Sequence, residues 1–123
     1  MSEATPGTPR AAGTRYFCKV RTEAELAEST PADYEQAGEL LRALAAPLRI
    51  AIVMELADGS KYVHQIVETL GVTQPLVSQH LRVLRWAGIV RGTRSGREIS
   101  YSLIDDHIAH IVTDAVNHAR EER

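Results

Sequence analysis

The sequence predicts a mainly α-helical domain with one small β-hairpin near its carboxyl end. Apolar residues recur at helical spacing over most of residues 31–88, and proline or glycine stands where these segments break. Two short runs of β-forming residues then flank a turn that contains glycine. The 123 residues, 44% hydrophobic and 24% charged, suit one globular domain. We expect a flexible N-terminal arm over residues 1–29 and the folded domain over residues 30–123.

Three helices are predicted in the first half of this domain. Thr30 suits an N-cap and Pro31 the first helical position. Pro47 ends this first helix and opens the second. The third helix begins at Tyr62 and ends at Gly71.

A fourth helix follows Thr73, which can cap it, and ends at Gly88. At 100° per residue, Ser78, Gln79 and Arg82 lie on the side opposite the apolar residues. Such side chains can contact DNA bases and phosphates in a major groove, although a solvated surface would carry the same residues.

The next segment favours the DNA-binding interpretation over a solvated surface. Residues 73–103 hold five arginines against Glu98 alone, a local charge of +4 in a chain of net charge −2. Runs at 89–90 and 99–103 have β-type composition, and the turn between them, 92–97, carries Arg94 and Arg97 at its tip. Helix, tight turn, helix and basic hairpin form a winged helix-turn-helix pattern. The residues expected at DNA are Thr73, Gln74, Ser78, Gln79, Arg82, Arg94 and Arg97.

Composition excludes several other classes. The single cysteine, Cys18, allows neither an intramolecular disulfide nor a cysteine-based zinc finger, so we expect a cytoplasmic location. No apolar run could cross a bilayer, and residues 1–13 lack the apolar segment of a secretory signal. Aromatic residues make up 5%, which disfavours binding to single strands by stacking.

The last predicted helix carries four potential metal ligands, Asp105, His107, His118 and Glu121. His107 and His118 lie about 20° apart around the axis but ~16 Å apart along it, so one ion cannot bind both within one helix. An antiparallel copy of the helix, related by a two-fold axis near residues 112–113, would bring His107 of each chain opposite His118 of the other. Two nitrogens and two oxygens then suit tetrahedral zinc, whereas the alternative is a solvated acidic dimer helix.

Several segments together resemble the ArsR/SmtB family of bacterial metal-responsive, dimeric winged-helix repressors. They are residues 41–49, 77–84, 87–90 and 94–97, and the resemblance spans residues 33–121. It is strongest to the SmtB-type zinc sensors of mycobacteria, whose last helix has Asp-x-His, ten residues and then His-x-x-Glu. Asp105, His107, His118 and Glu121 match this pattern, so the resemblance implies that they bind zinc.

The resemblance implies a homodimer that represses transcription. The metal-free dimer would bind an inverted-repeat operator in double-stranded DNA, and zinc would release it. One alternative is a winged-helix regulator of another metal, cobalt or nickel, or of a non-metal signal. A small zinc hydrolase is a second alternative. We do not expect the protein to be an enzyme, because four protein ligands leave no position on the zinc ion for water and no nucleophile–base pair accompanies them.

Other potential ligands are expected to be structural. Tyrosine stands in the third helix where some members of the family have cysteine, so Cys18 and His64 make a poor second site. Asp106, His110 and Asp114 share a helical stripe, where the carboxylates can hydrogen-bond the histidine. His80 falls among apolar residues and is expected to be a hydrogen-bonded core or interface histidine.

Overall fold

A computed structural model describes residues 28–121, which form helices and a small antiparallel sheet. The elements are α1 (Pro31–Leu44), α2 (Pro47–Leu56), β1 (Lys61–Tyr62), α3 (Val63–Leu70), α4 (Gln74–Trp86), β2 (Val90–Ser95), β3 (Glu98–Leu103) and α5 (Asp106–Glu121). The predicted mainly helical class with a β-hairpin is confirmed. The predicted arm over residues 1–29 lies almost wholly outside the described residues and stays a prediction. None of the described helices is long and apolar enough to cross a membrane.

The chain divides into two compact units between Glu35 and Gln36. In the described part of the first unit, two reciprocal hydrogen bonds between Thr30 and Asp33 cap the start of α1. Thr30 Oγ1 accepts a hydrogen bond from the Asp33 backbone N–H at 3.3 Å, and Asp33 Oδ2 accepts one from the Thr30 backbone N–H at 2.9 Å. The predicted N-cap is therefore confirmed, and the carboxylate satisfies a second exposed donor.

The second unit holds the hydrophobic core, to which every long helix contributes. The core residues are almost completely buried. They are Leu44, Ile52, Val53, Leu56, Ile66, Val77, Leu81, Leu84, Ile89, Val90, Ile108 and Val112. Helix α4 buries one side only, through Val77, Leu81 and Leu84. Its opposite side remains at the surface, as an amphipathic helix requires.

The turns that follow α3 and α4 fall where the sequence predicts them. Gly71 ends α3 with φ 69°, and Gly88 follows α4 with φ 76°, both in the left-handed region that favours glycine. Between α3 and α4, Thr73 Oγ1 accepts a hydrogen bond from the Leu76 backbone N–H at 3.4 Å. The predicted cap and the helix-turn-helix connection are confirmed.

The hairpin is longer and its turn shorter than predicted. Strands β2 and β3 pair from Val90 opposite Leu103 to Ser95 opposite Glu98, so only Gly96 and Arg97 form the turn. Arg94 therefore lies in β2, opposite Ile99, and the prediction that placed it at the tip is wrong. The segment looked like a loop because its side chains are polar, but the ladder is made by backbone groups, and Gly96 at φ 67° closes it.

A third strand was not predicted. Lys61 and Tyr62 pair with Tyr101 and Ser100, which gives the sheet the order β1-β3-β2. Tyr62 is thus extended and precedes α3, not the first helical residue that the apolar pattern suggested. A two-residue strand has no period of its own, and β3, far along the chain, supplies its hydrogen bonds.

Candidate functional site

The exposed side of α4 presents polar side chains from its first residue to beyond its middle. Gln74, Gln79 and Arg82 are exposed, and Ser78 is half-buried. Thr73, held as the N-cap, lies at the same end. The predicted DNA-contacting residues of this helix therefore share one surface, and the opposite side is fixed in the core. Side chains of this kind on the exposed side of a helix suit contacts to phosphates and base edges.

Two arginines of the hairpin are exposed as well. Arg94 is exposed on β2 and Arg97 is exposed in the turn. Both can approach a polyanion, from different parts of the hairpin. We refer to β2, the turn and β3 as the wing.

The wing tip contacts the start of α3, which the sequence did not predict. His64 Nδ1 lies 3.3 Å from Glu98 Oε1, and the His64 ring stacks on Tyr62 with centroids 5.8 Å apart. The Tyr62 hydroxyl lies 3.4 Å from Ser95 Oγ. His64 is a surface residue, as predicted, and its position beside Glu98 gives the only acid of the basic segment a partner. No local pattern in the sequence indicates this contact, because it joins two elements far apart along the chain.

The base of the wing contacts α4 through Arg85. A Cβ atom at Gly92 would lie 3.4 Å from Arg85 Nη1, 3.2 Å from Tyr101 Cε1 and 3.1 Å from Ile99 Cγ2. Any larger residue at position 92 would require the Ile99 and Tyr101 side chains to shift by a few tenths of an ångström. Helix periodicity placed Arg85 on the polar side of α4 but gave no sign that its guanidinium lies over β2.

On the other side of α4, His80 is joined to α2. Arg49 Nη1 lies 3.3 Å from His80 Nδ1, and Arg49 Nε donates a hydrogen bond to the Ala43 carbonyl at 2.6 Å. Burial first, and the Arg49 charge second, hold the pKa of His80 below its ordinary value of 6.5. The prediction of a hydrogen-bonded histidine is confirmed.

Asp105 and His107 come together at the start of α5. Asp105 Oδ1 accepts a hydrogen bond from the Ile108 backbone N–H at 3.3 Å, so Asp105 caps the helix as predicted. Its other oxygen, Oδ2, lies 3.7 Å from His107 Nδ1. The His107 side chain is 88% exposed and the Asp105 side chain 49% exposed. Two of the four predicted metal ligands are therefore adjacent and accessible.

The other two ligands, His118 and Glu121, lie in the last turns of α5 and are exposed. Within residues 28–121 of one chain, no three histidine, cysteine, aspartate or glutamate side chains are grouped to hold a metal ion. This agrees with the ~16 Å between His107 and His118 along the helix, and a site completed by a second chain stays a prediction.

An apolar residue lies between the two histidines. Ile111 is 37% exposed and lies about 40° from His107 and about 20° from His118 around the α5 axis. The helix buries Ile108 and Val112 in its own domain, whereas Ile111, about 60° from Ile108 around the axis, is only partly covered. This partly exposed side of α5 carries His107, Ile111 and His118 in line.

The other candidate ligands gain no support. Cys18 lies outside the described residues. Asp106, His110 and Asp114 lie on α5, and the part of the chain that the structure covers groups no three such side chains as a metal site. The expectation that they are structural stays a prediction.

Comparison with known proteins points to bacterial regulators. Residues 46–91 match the model of the family described as "Bacterial regulatory protein, arsR family". The HTH-type transcriptional repressor SmtB of Mycobacterium tuberculosis is 61% identical over 88 residues, 72% of this chain, and the chain spans 65% of that relative's length. The HTH-type transcriptional regulator NmtR of the same organism is 42% identical over 94 residues, which cover 74% of this chain and 78% of NmtR.

Solved structures show the same fold. The homodimeric winged helix-turn-helix DNA-binding domain Mb0332 of Mycobacterium bovis superposes with a TM-score of 0.67 at 25% identity, covering 78% of this chain and 92% of that one. The transcriptional repressor BigR of Xylella fastidiosa gives a TM-score of 0.61 at 33% identity, covering 70% and 92%. The predicted winged helix-turn-helix is confirmed.

Proposed function

The chain belongs to the ArsR family of bacterial regulatory proteins, and from this premise we propose that it is a homodimeric, zinc-responsive transcriptional repressor of the cytoplasm. The metal-free dimer binds an inverted-repeat operator in double-stranded DNA, and zinc binding releases the operator. The family and the similar proteins are transcriptional regulators by name, which supports regulation and not catalysis.

The DNA-binding part of the proposal is supported by the exposed polar side of α4 and the exposed arginines of the wing. Gln79 and Arg82 are exposed on the helix that a major groove would accept, while Arg94 and Arg97 add positive charge beside it. We assign base contacts to the polar residues of α4 and phosphate contacts to the wing arginines. The homodimeric state of the Mycobacterium bovis domain supports two such surfaces per molecule.

The zinc part depends on one observation above all, the adjacency of Asp105 and His107 at the capped start of α5. One nitrogen and one oxygen donor are accessible there, and His118 and Glu121 offer the same pair of donors near the other end. Two nitrogens and two oxygens fit a tetrahedral zinc ion. We propose that each of two equivalent sites takes Asp105 and His107 from one protomer and the last-turn pair, His118 and Glu121, from the other.

The exposed Ile111 supports this pairing of helices. An antiparallel α5 pair with its two-fold axis near residues 112–113 would cover Ile111 of both chains while it brings His107 opposite His118 of the partner subunit. Burial of an exposed isoleucine stabilises such an interface by roughly 1–2 kcal/mol per chain. The same contact that buries the apolar residue would complete the metal site.

Zinc would control DNA binding through the dimer. Ligands drawn from both chains fix the two α5 helices against each other, and the distance between the two α4 helices changes with them. An operator requires these helices to enter grooves about 34 Å apart. Thermodynamic linkage requires that zinc bind the DNA-free dimer more tightly by the factor by which it weakens operator binding.

The test uses the purified full chain and a short duplex selected by the wild-type protein from a random-sequence library. We expect two tight zinc ions per dimer and operator affinity that falls at least about tenfold when zinc replaces a chelator. A matched control, His107→Ala with His118→Ala, should bind the duplex normally and ignore zinc. Operator affinity that zinc leaves unchanged in the wild type contradicts the proposal.

A nitrogen and oxygen donor set also suits cobalt and nickel, so the second candidate is a regulator of one of these ions. The same titration repeated with each ion separates the two candidates. Release of the operator by cobalt or nickel, but not by zinc, favours the second.

A further inference from the structure

The side of α4 turned away from the proposed DNA surface is joined to two other helices through one side chain. Arg49 of α2 donates from Nε to the Ala43 carbonyl of α1 at 2.6 Å, and its Nη1 lies 3.3 Å from His80 Nδ1 of α4. Both contacts are partly buried. A single guanidinium therefore links the end of α1 and the middle of α4.

The chemistry of the pair fixes the form of the histidine. A guanidinium has donors only, so His80 Nδ1 must be the acceptor and the ring proton must be on Nε2. A protonated His80 has no acceptor nitrogen and would place a second cation beside Arg49. The lowered pKa of His80 agrees with this, since both burial and Arg49 disfavour the charged ring.

His80 is next to Gln79 in sequence and two residues from Arg82, both assigned to DNA. The apolar side of α4 packs into the core and sets the overall orientation of the helix. The Arg49–His80 hydrogen bond is directional, so it adds a further restraint on rotation about the helix axis.

We propose that Arg49 and His80 are positioning residues for operator recognition, and that their hydrogen bond holds α4 in the rotation that presents Gln79 and Arg82 to the bases. The inference rests on the proposed DNA-binding function. Acid that protonates His80 breaks the bond and lowers the preference for the operator over other DNA.

Arg49 is the ionisable group whose contact with His80 the proposal uses. The elements packed against α4 are α2, α3 and β2, and their ionisable side chains are Arg49, Glu55, His64, Glu68, Arg91 and Arg94. Arg49 is at hydrogen-bond distance from His80, and its charge acts on the pKa of His80. The pH response is therefore assigned to this pair.

The experiment compares the wild type with His80→Asn and His80→Leu. Asparagine offers an acceptor oxygen close to the position of Nδ1 but does not titrate, and leucine offers no acceptor. The measured quantity is the ratio of affinities for the selected duplex and for a scrambled duplex. This ratio removes the general attraction of a protonated histidine to phosphate.

At neutral pH we expect the ratio to fall about tenfold in His80→Leu and to stay within about threefold of the wild type in His80→Asn. Below pH 6.5 the wild-type ratio should decline while the His80→Asn ratio stays constant. A folded His80→Leu protein with the wild-type ratio overturns the proposal. A wild-type protein that selects no duplex from the library contradicts the proposed DNA-binding function itself.

A second measurement covers the case in which His80→Leu does not fold. Nitrogen NMR of the wild-type imidazole should show the proton of neutral His80 on Nε2, with Nδ1 unprotonated. A proton on Nδ1 overturns the proposed bond. The free energy of unfolding should depend on pH in the same direction. Folded His80 binds fewer protons than unfolded His80, so the wild type should lose stability relative to His80→Asn as pH falls below 6.5.

Discussion

At the scale of single residues, Asp105 uses its two carboxylate oxygens differently. Oδ1 accepts the Ile108 backbone N–H and caps the start of α5, whereas Oδ2 faces His107 Nδ1. The first contact is part of folding, and the second places a carboxylate where the proposed zinc site needs one. The cap also explains how ligands two positions apart, which would diverge by about 200° within a helix, can lie side by side.

The two roles of Asp105 can be separated by substitution. Asp105→Asn keeps an oxygen that can cap the helix but removes the negative charge, so we expect nearly wild-type stability and much weaker zinc binding. Asp105→Ala removes both, so it should also cost about 1 kcal/mol of unfolding free energy. Thermal unfolding and zinc titration of both variants provide the check. Equal zinc affinity in Asp105→Asn and the wild type would remove Asp105 from the site.

At the scale of elements, the wing is held at both ends. Arg85 and Tyr101 meet over Gly92 at its base, and His64 faces Glu98 near its tip. The tip contact is exposed and contributes at most about 1 kcal/mol, so the backbone ladder of β2 and β3 does most to fix the hairpin. Arg94 and Arg97 are exposed residues of the wing and do not belong to the hydrophobic core.

The wing arginines are expected to contribute affinity without sequence preference. Arg94→Ala with Arg97→Ala should weaken binding to all duplexes and reduce the salt dependence of binding by about one counterion for each phosphate that the wing no longer neutralises. Salt titration of duplex binding measures this. Arg42→Ala with Arg120→Ala removes the same charge from α1 and α5 and serves as the control. A salt slope that matches the control's excludes the wing from the DNA interface.

Substitutions in helix α4 should have a different effect from substitutions in the wing. Gln79→Ala removes a side chain that can form paired hydrogen bonds to a base, so we expect base preference to relax at one operator position, by about 1–3 kcal/mol of discrimination. Affinities for a set of single-base operator variants give the answer. A uniform loss over the whole set would assign Gln79 to the DNA backbone.

At the scale of the whole molecule, α5 has one side buried in its own domain and another side that is partly exposed. Ile108 and Val112 are buried, while Ile111 is exposed in line with His107 and His118. A helix of this kind can pack one side on the core of its own domain and another side on a second copy of the chain. Dimerisation and metal binding would then use the same face.

A mixed dimer tests whether each site is shared between chains. His107→Ala and His118→Ala homodimers should each lose tight zinc binding, since every site lacks one histidine. A dimer of one His107→Ala chain and one His118→Ala chain keeps one site complete and should bind one zinc ion, measured by metal analysis of the purified mixed dimer.

A site built within one chain leaves the mixed dimer without zinc, and that result contradicts sharing. His110 lies one turn from His107 and can substitute for a missing ligand. The same mixed dimer is therefore prepared with His110→Ala in both chains. Its zinc content should remain at one per dimer.

Local order along the chain was determined by the sequence alone. Pro47, Gly71 and Thr73 set helix boundaries, because the conformations they favour do not depend on distant residues. The spacing of His107 and His118 likewise fixed their shared face and their separation, because both follow from helix geometry.

Only the tertiary structure decided the contacts between distant segments. The pairing of Lys61 with Tyr101, the bond between Arg49 and His80, and the approach of Arg85 to Gly92 each join residues on different elements. No period within one element encodes such a contact, because it depends on how the hydrophobic core sets the elements against one another.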